Sequence, residues 1–334
     1  LGMEDKGAFR RLIAAAAGVE EADLVTTDLF LYPRMRGTCV GAAGELLCAP
    51  RLDDLQCVYG CLQGFLAAGT GESMPVLCVF HNEEVGSGTW QGADSTFLTD
   101  ILSRAAAALG RTGEAYQTSV AESFLVSADN AHAVHPAHPE YADKQEFPVL
   151  NGGVVVKYNA NQHYTTDALS DAVFRELCRR AAVPVQRYSN RADLPGGSTL
   201  GNISTSHLSI PSVDIGLPQL AMHSCCEVAG VRDTEALARV MTVYFATGMH
   251  RLPGGGMVPR VGPAGEDDPR LRHLFAHPPE DAPARKLRHR GPQRRTERTQ
   301  RVLGKPGKQT GGGKNLKVMG RYHGIFSFFA ANAT

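Results

Sequence analysis

Between residues 48 and 247 the chain alternates short apolar runs with longer amphipathic stretches, and this alternation restricts the fold more than any other feature. Val76-Leu77-Cys78-Val79-Phe80 is too short for a helix and gives way to small residues, so it reads as a buried strand ending in a loop. Further strands are expected over 124–127, 154–158 and 213–215. Helices are expected over 55–68, closed by Gly69, over 97–109, closed by Gly110, and over 167–182 and 234–245. Strands that alternate with helices build a layered α/β domain around a substantially parallel sheet. Upstream, 4–17 reads as a helix closed by Gly18, 23–31 as a strand, and 36–47 as a strand broken by glycines.

After Gly248 the pattern fades into Pro, Gly, Arg and His. That composition buries too little apolar surface to offset ordering, so 252–318 is expected to be mostly disordered. The net charge of zero hides an asymmetry. From Arg285 onward 13 Lys and Arg face Glu297 alone, a net of +12, so residues 1–284 carry −12. The basic run 285–301 suits nucleic acid, although a solvated tail is at least as good a reading, and nucleic acid is not expected as a partner. Gly311-Gly312-Gly313-Lys314 fails as a phosphate loop, because Asn315 stands where Ser or Thr is needed.

With 43% hydrophobic and 20% charged residues the composition is that of a soluble globular protein. No apolar run has the 18 or so residues of a membrane span, and no signal peptide opens the chain, so no membrane partner is expected. The eight cysteines form no CxxC pair and lie mostly in apolar runs, which points to a reducing, cytoplasmic setting.

Chemistry concentrates where the first clear strand ends, at His81-Asn82-Glu83-Glu84-Val85-Gly86-Ser87-Gly88. Two adjacent carboxylates repel unless something cationic holds them. A metal ion does so simply, with one Glu as ligand and the other free to move a proton. Asp53, Asp129 and His223 also follow expected strands, and with Glu83 and Glu84 they supply the oxygen and imidazole donors of a two-zinc hydrolase. Taken singly each has a plainer reading: Asp54, next to Asp53, suits a helix N-cap, and His223 a hydrogen-bonded core histidine.

Six stretches in order resemble the motifs of aspartyl aminopeptidases, the M18 family of zinc peptidases: Arg51-Leu52-Asp53, Asn82-Glu83-Glu84-Val85-Gly86-Ser87, Ser127-Ala128-Asp129-Asn130-Ala131-His132, Leu150-Asn151-Gly152-Gly153, Asn159-Ala160-Asn161-Gln162-His163-Tyr164 and Pro218-Gln219-Leu220-Ala221-Met222-His223-Ser224. The resemblance covers roughly residues 5–247. It implies a three-layer α/β/α peptidase domain with a mixed, largely parallel sheet over 48–250. Residues 1–47 would be the last part of an inserted dimerisation domain; by composition and charge, 251–334 is read as a basic, mostly disordered tail. It implies two Zn2+ per site, bridged by Asp53, with Glu84 and His223 on one ion and Asp129 on the other. Glu83 would be the general base and Tyr164 the oxyanion donor. Lys157 and His132 would lie at the substrate, as would Gly197 and Ser198 of the loop Gly196-Gly197-Ser198-Thr199. The implied substrates are peptides with an acidic N-terminus, and the implied assembly is a homo-oligomer, in the family a dodecamer.

The family pattern also includes a zinc-ligating His near the start, and no His precedes His81 here. The first catalytic segment and most of the insertion are therefore read as absent. Asp53 and Asp129 would then hold their ion through carboxylates alone, which suits zinc poorly, so impaired activity is expected. The competing reading is a non-catalytic family member kept for assembly or peptide binding.

Overall fold

The computed structural model describes residues 5–69, 71, 73–252 and 256–260, and the backbone of 326–333. Among the described residues, 5–29 belong to one compact unit and those from 30 onward to a second.

In the first unit α1 (Ala8–Ala17) ends on Gly18, whose φ of 69° supplies the left-handed turn expected there. Arg10 then caps the following 3-10 turn, Glu21–Asp23, by donating to the Glu21 carbonyl at 2.8 Å. The strand expected over 23–31 does not form: nothing regular follows Asp23 until Thr38. Its Val25, Leu29, Phe30 and Leu31 stand exposed, so the alternation has no sheet face to bury.

The second unit is built on two sheets. One has five strands, in the order β1 (Thr38–Val40), β2 (Leu46–Ala49), β10 (Glu227–Gly230), β9 (Pro218–Leu220), β5 (Ala131–His132). The other has six, in the order β3 (Met74–His81), β13 (Phe326–Ala333), β4 (Phe124–Ala128), β8 (Ser212–Gly216), β6 (Val154–Tyr158), β7 (Val185–Ser189). The larger sheet is mixed: β4 and β8 are parallel, as are β6 and β7, while β13 runs antiparallel to both neighbours and β6 antiparallel to β8. The short strands β11 (Met249–Arg251) and β12 (Met257–Pro259) form a separate antiparallel pair.

Period-two alternation along β4 explains why helices cover both faces. Phe124, Val126 and Ala128 enter a core shared with α2 (Leu52–Ala67), α5 (Ala168–Arg180) and α7 (Val231–Ala246). Leu125 enters a second core with Phe80, Leu98 of α3 (Phe97–Ala108) and Leu200 of α6 (Leu200–His207). One strand feeding two cores produces the three layers that the family resemblance implied. The remaining helix, α4 (Glu114–Ala121), and the strand β7 carry too little periodicity to be foreseen.

Among the described residues three strands lie in the region where the sequence showed no pattern: β12 falls within 252–318, expected to be mostly disordered, and β13 within the wider tail 251–334. The basic run 285–301 and Gly311-Gly312-Gly313-Lys314 lie outside the described residues.

Candidate metal centre and active site

The acids gather because strand ends gather. β3, β4 and β8 run in one direction, so Glu83 and Glu84 after β3 and Asp129 after β4 emerge on the same edge, where α/β sheets place their chemistry. Asn82, with φ 60°, and Gly86, with φ 97°, bracket a 3-10 turn, Glu83–Val85, that turns the two carboxylates inward from the strand axis. Asp129 continues the β4–β8 ladder, its N–H donating to the Ile215 carbonyl at 3.1 Å. Gly216 lies directly beneath it, and a Cβ there would collide with the Asp129 carbonyl.

The smaller sheet brings the other two ligand segments together. β2 and β10 pair antiparallel with Ala49 opposite Glu227, so the chain leaving β2 toward Asp53 passes the loop between β9 and β10 that carries His223. Ala221 and His223 both have positive φ, 56° and 65°, which folds this loop tightly. Glu227, buried, accepts the Asp53 N–H at 3.0 Å and the His223 N–H at 2.8 Å.

Two groups of ligand atoms result. His223 Nε2 lies 3.1 Å from Asp53 Oδ2 and 3.1 Å from Glu84 Oε2. Carboxylate oxygens of Asp53, Asp54 and Asp129 form the second group, each within 4.8 Å of the others. Asp54 had looked like a helix cap. Its side chain makes no capping bond; it is buried beside Asp53, across a cis peptide, with the Cys57 thiol against its carboxylate. Asp53 Oδ1 is buried without a partner.

So much negative charge in one place raises the cost of ionisation. Burial, then Asp129 and Glu84, push Asp53 up to about 10, with Lys157 opposing. Burial, then Asp129 and Glu84, raise Glu83 to about 8, again against Lys157. The Lys157 ammonium stands 3.5 Å from Asp129 Oδ2 and 5.5 Å from the centre of the Tyr164 ring. Burial works against the Lys157 charge, but Asp129, Tyr164 and Asp214 more than offset it, so it stays protonated. Burial raises Tyr164 to about 12, so its phenol keeps its proton at neutral pH. Burial, then Lys157 and His223, lower the pKa of His132, with Asp129 opposing. It lines a cavity of about 400 Å³ together with Tyr188, Gln219 and Met222.

Of the residues singled out in the sequence, the structure brings Asp53, Glu84 and His223 together, and Asp129 joins Asp53 in the second group. Glu83, Lys157, Tyr164 and His132 stand within electrostatic reach of these acids. Gly197 and Ser198 are exposed, and among the described interactions neither touches the cluster. Asp54 and Glu227 were not foreseen as site residues. Nor was Asp214, which accepts from Thr165 Oγ1 at 2.8 Å and Thr199 Oγ1 at 3.2 Å and so ties the segments that carry these two threonines to β8. The available signal was an acid inside an apolar strand, as in Val213-Asp214-Ile215.

Comparison with known proteins bears on this geometry directly. The family model "Aminopeptidase I zinc metalloprotease (M18)" matches residues 3–245. The chain is 44% identical over 223 residues to a "Probable M18 family aminopeptidase 2" of Clostridium novyi (strain NT), covering 67% of this chain and 52% of that protein. A Mycobacterium leprae (strain TN) protein of the same name is 38% identical over 246 residues, covering 73% and 58%. The crystal structure of yeast aminopeptidase 1 superposes with a TM-score of 0.63 at 30% identity, covering 71% of this chain and 54% of that one. A Thermotoga maritima M18 aminopeptidase shares the fold, with a TM-score of 0.64 at 22% identity, covering 73% and 56%. The chain thus spans about half the length of the curated relatives it matches. Four carboxylates and an imidazole assembled near strand ends, together with a family match over most of the sequence, identify this chain as a member of the M18 family of zinc metalloproteases.

Proposed function

We propose that the chain carries the catalytic centre of a zinc aminopeptidase that releases Asp and Glu from peptide N-termini. The reading is carried by the meeting of His223 Nε2 with Asp53 Oδ2 and Glu84 Oε2, with Glu83 adjacent in the same turn. These residues fit zinc: one imidazole and two carboxylates are a common protein donor set for a catalytic ion with an open position, and Asp53 Oδ1 is buried without a partner. Asp53, Glu84 and His223 would hold the ion. When bound, zinc polarises the scissile carbonyl and makes water more acidic.

The remaining steps belong to the protein. Glu83, whose proton affinity is raised toward neutrality, takes a proton from the attacking water and returns it to the leaving amine. The Tyr164 phenol, protonated at neutral pH, donates to the developing oxyanion. Lys157 offers a buried positive charge to the acidic side chain of the substrate, and His132 borders the adjoining cavity. Gly197 and Ser198 are assigned to the substrate by their sequence resemblance alone. A second zinc would rest on Asp53 and Asp129; their group includes no imidazole, so we expect weak zinc occupancy there and slow turnover.

One solved relative is a dodecamer, and we extend homo-oligomeric assembly to this chain. The exposed Val25, Leu29, Phe30 and Leu31 offer apolar surface for it. We also place the protein in the cytoplasm: all eight cysteines are free, and among the described residues no helix is long and apolar enough to cross a membrane.

The absence of an imidazole from the second group favours one further reading, a non-catalytic member that binds peptides or serves assembly. Glu83→Gln separates the two. The parent should retain zinc and cleave Asp- and Glu-initiated peptides in preference to Ala-initiated ones. The variant should retain zinc while kcat falls by roughly 10²–10⁴. Zinc binding without hydrolysis by the parent would favour the non-catalytic reading, and a parent that binds no zinc would overturn both.

A further inference from the structure

The loop that carries His223 also carries Cys225 and Cys226, and the second of these meets a partner on β2. The Cys48 and Cys226 thiols hydrogen-bond to each other. The strand register accounts for the contact. β10 sets Val228 opposite Cys48 and Glu227 opposite Ala49. Side chains two apart along a strand share a face, so Cys226, one residue before β10, lies diagonally across from Cys48 on the same side of the sheet. Cys39 stands opposite Leu47 and so belongs to the other face. Cys57, Cys61, Cys78 and Cys178 are buried, whereas Cys48 and Cys226 are both half-buried and open to small solutes.

We propose that Cys48 and Cys226 form a peroxide-sensitive dithiol whose oxidation to a disulfide loosens the zinc site. A peroxide oxidises one thiol to a sulfenic acid and leaves as water. The other thiol then displaces the sulfenic hydroxyl as a second water, and the S–S bond forms. Two thiols are oxidised and one O–O bond is reduced. Diagonal neighbours have Cα atoms about 7–8 Å apart and a disulfide spans at most about 6.8 Å, so closure draws the segments together by roughly an ångström. Cys226 gives way more readily, since it precedes the ladder while Cys48 is paired to both β1 and β10. The pull reaches the ligands directly. Glu227, the next residue, holds the Asp53 and His223 N–H groups, and Ser224 Oγ donates to the Cys226 carbonyl at 2.7 Å. His223 Nε2 then leaves the place where it is 3.1 Å from both Asp53 and Glu84. A transient disulfide of this kind is the form that redox sensing takes in a reducing compartment. The consequence for the metal rests on the zinc peptidase reading; the bond itself does not.

The full chain with one equivalent of Zn2+ is treated with hydrogen peroxide and mapped by tandem mass spectrometry, while a chromophoric chelator reports zinc affinity. A Cys48–Cys226 cross-link should form and zinc should weaken by about tenfold or more, and dithiothreitol should reverse both. Cys48→Ser and Cys226→Ser should each bind zinc as the reduced parent does and lose the response to peroxide. Cys39→Ser and Cys225→Ser should respond as the parent does. Should a serine variant not fold, the alanine variant at that position is measured in the same way. A Cys225–Cys226 cross-link in its place, or a reversible response that survives in Cys48→Ser, would overturn the proposal, as would a Cys48–Cys226 bond that leaves zinc affinity unchanged. A reduced parent that binds no zinc would instead count against the peptidase reading, with the cross-link map still deciding whether the dithiol closes.

Discussion

Glu227 accepts the Asp53 N–H through Oε2 and the His223 N–H through Oε1, so one buried carboxylate fixes the two backbone segments that converge on the first ligand group. An amide can accept through its oxygen but presents N–H groups on its other side. Glu227→Gln should therefore release one segment and weaken zinc roughly 10- to 100-fold, as measured by competition with a chromophoric chelator. An unchanged affinity would show that the loops hold themselves. The ligands were legible in the sequence because each follows an apolar run that ends in a loop, as Asp129 follows Phe124-Leu125-Val126-Ser127-Ala128. Glu227 and Asp54 were not. Glu227 acts through backbone N–H groups that leave no trace in composition, and Asp54 directly precedes the helix expected over 55–68, where an acid has an ordinary capping explanation.

Among the elements, α7 shows how a helix start can be tied to a distant turn. Asp233, in its first turn and fully buried, accepts the Asn151 N–H at 2.7 Å and the Gly153 N–H at 2.9 Å, pinning the turn that enters β6. Burial raises Asp233 to about 6, against the two backbone hydrogen bonds and Arg232, which lower it. A raised carboxyl binds its proton more tightly in the folded protein than in the unfolded chain. Its contribution to stability is thus fully present below about pH 4 and is lost as pH rises through 6, by about 3 kcal/mol. Urea titrations of Asp233→Asn and the parent between pH 4 and 6 should show the parent alone carrying this slope. The 13-residue α5, with its helical period, and β6, an unbroken apolar run, were readable in advance. α6 and β9 were not, because a helix of 8 residues and a strand of 3 are set by what they pack against. The strand expected over 23–31 failed for the same reason, having alternation but no partner.

At the scale of the whole second unit, the larger sheet is closed by a strand from far along the chain. β13 pairs with β3 from Met74 to His81 and with β4 from Phe124 to Ala128, and β3 and β4 do not pair with each other. Deleting residues 326–334 should leave two strand edges without partners. Amide exchange in the truncated protein should then accelerate across β3 and β4 but not across β6 and β7; equal protection would show that the sheet closes without this segment. No period in the sequence announced β13, since strand pairing over such a distance depends on a vacancy elsewhere in the sheet. The vacancy also sets a schedule. At ~5–20 residues per second, the ribosome finishes Phe326 some ~10–40 s after Ala128. For that interval the strands bearing Glu83, Glu84 and Asp129 await their neighbour, so the nascent chain passes through a stage in which trigger factors or holdases have two open edges to guard.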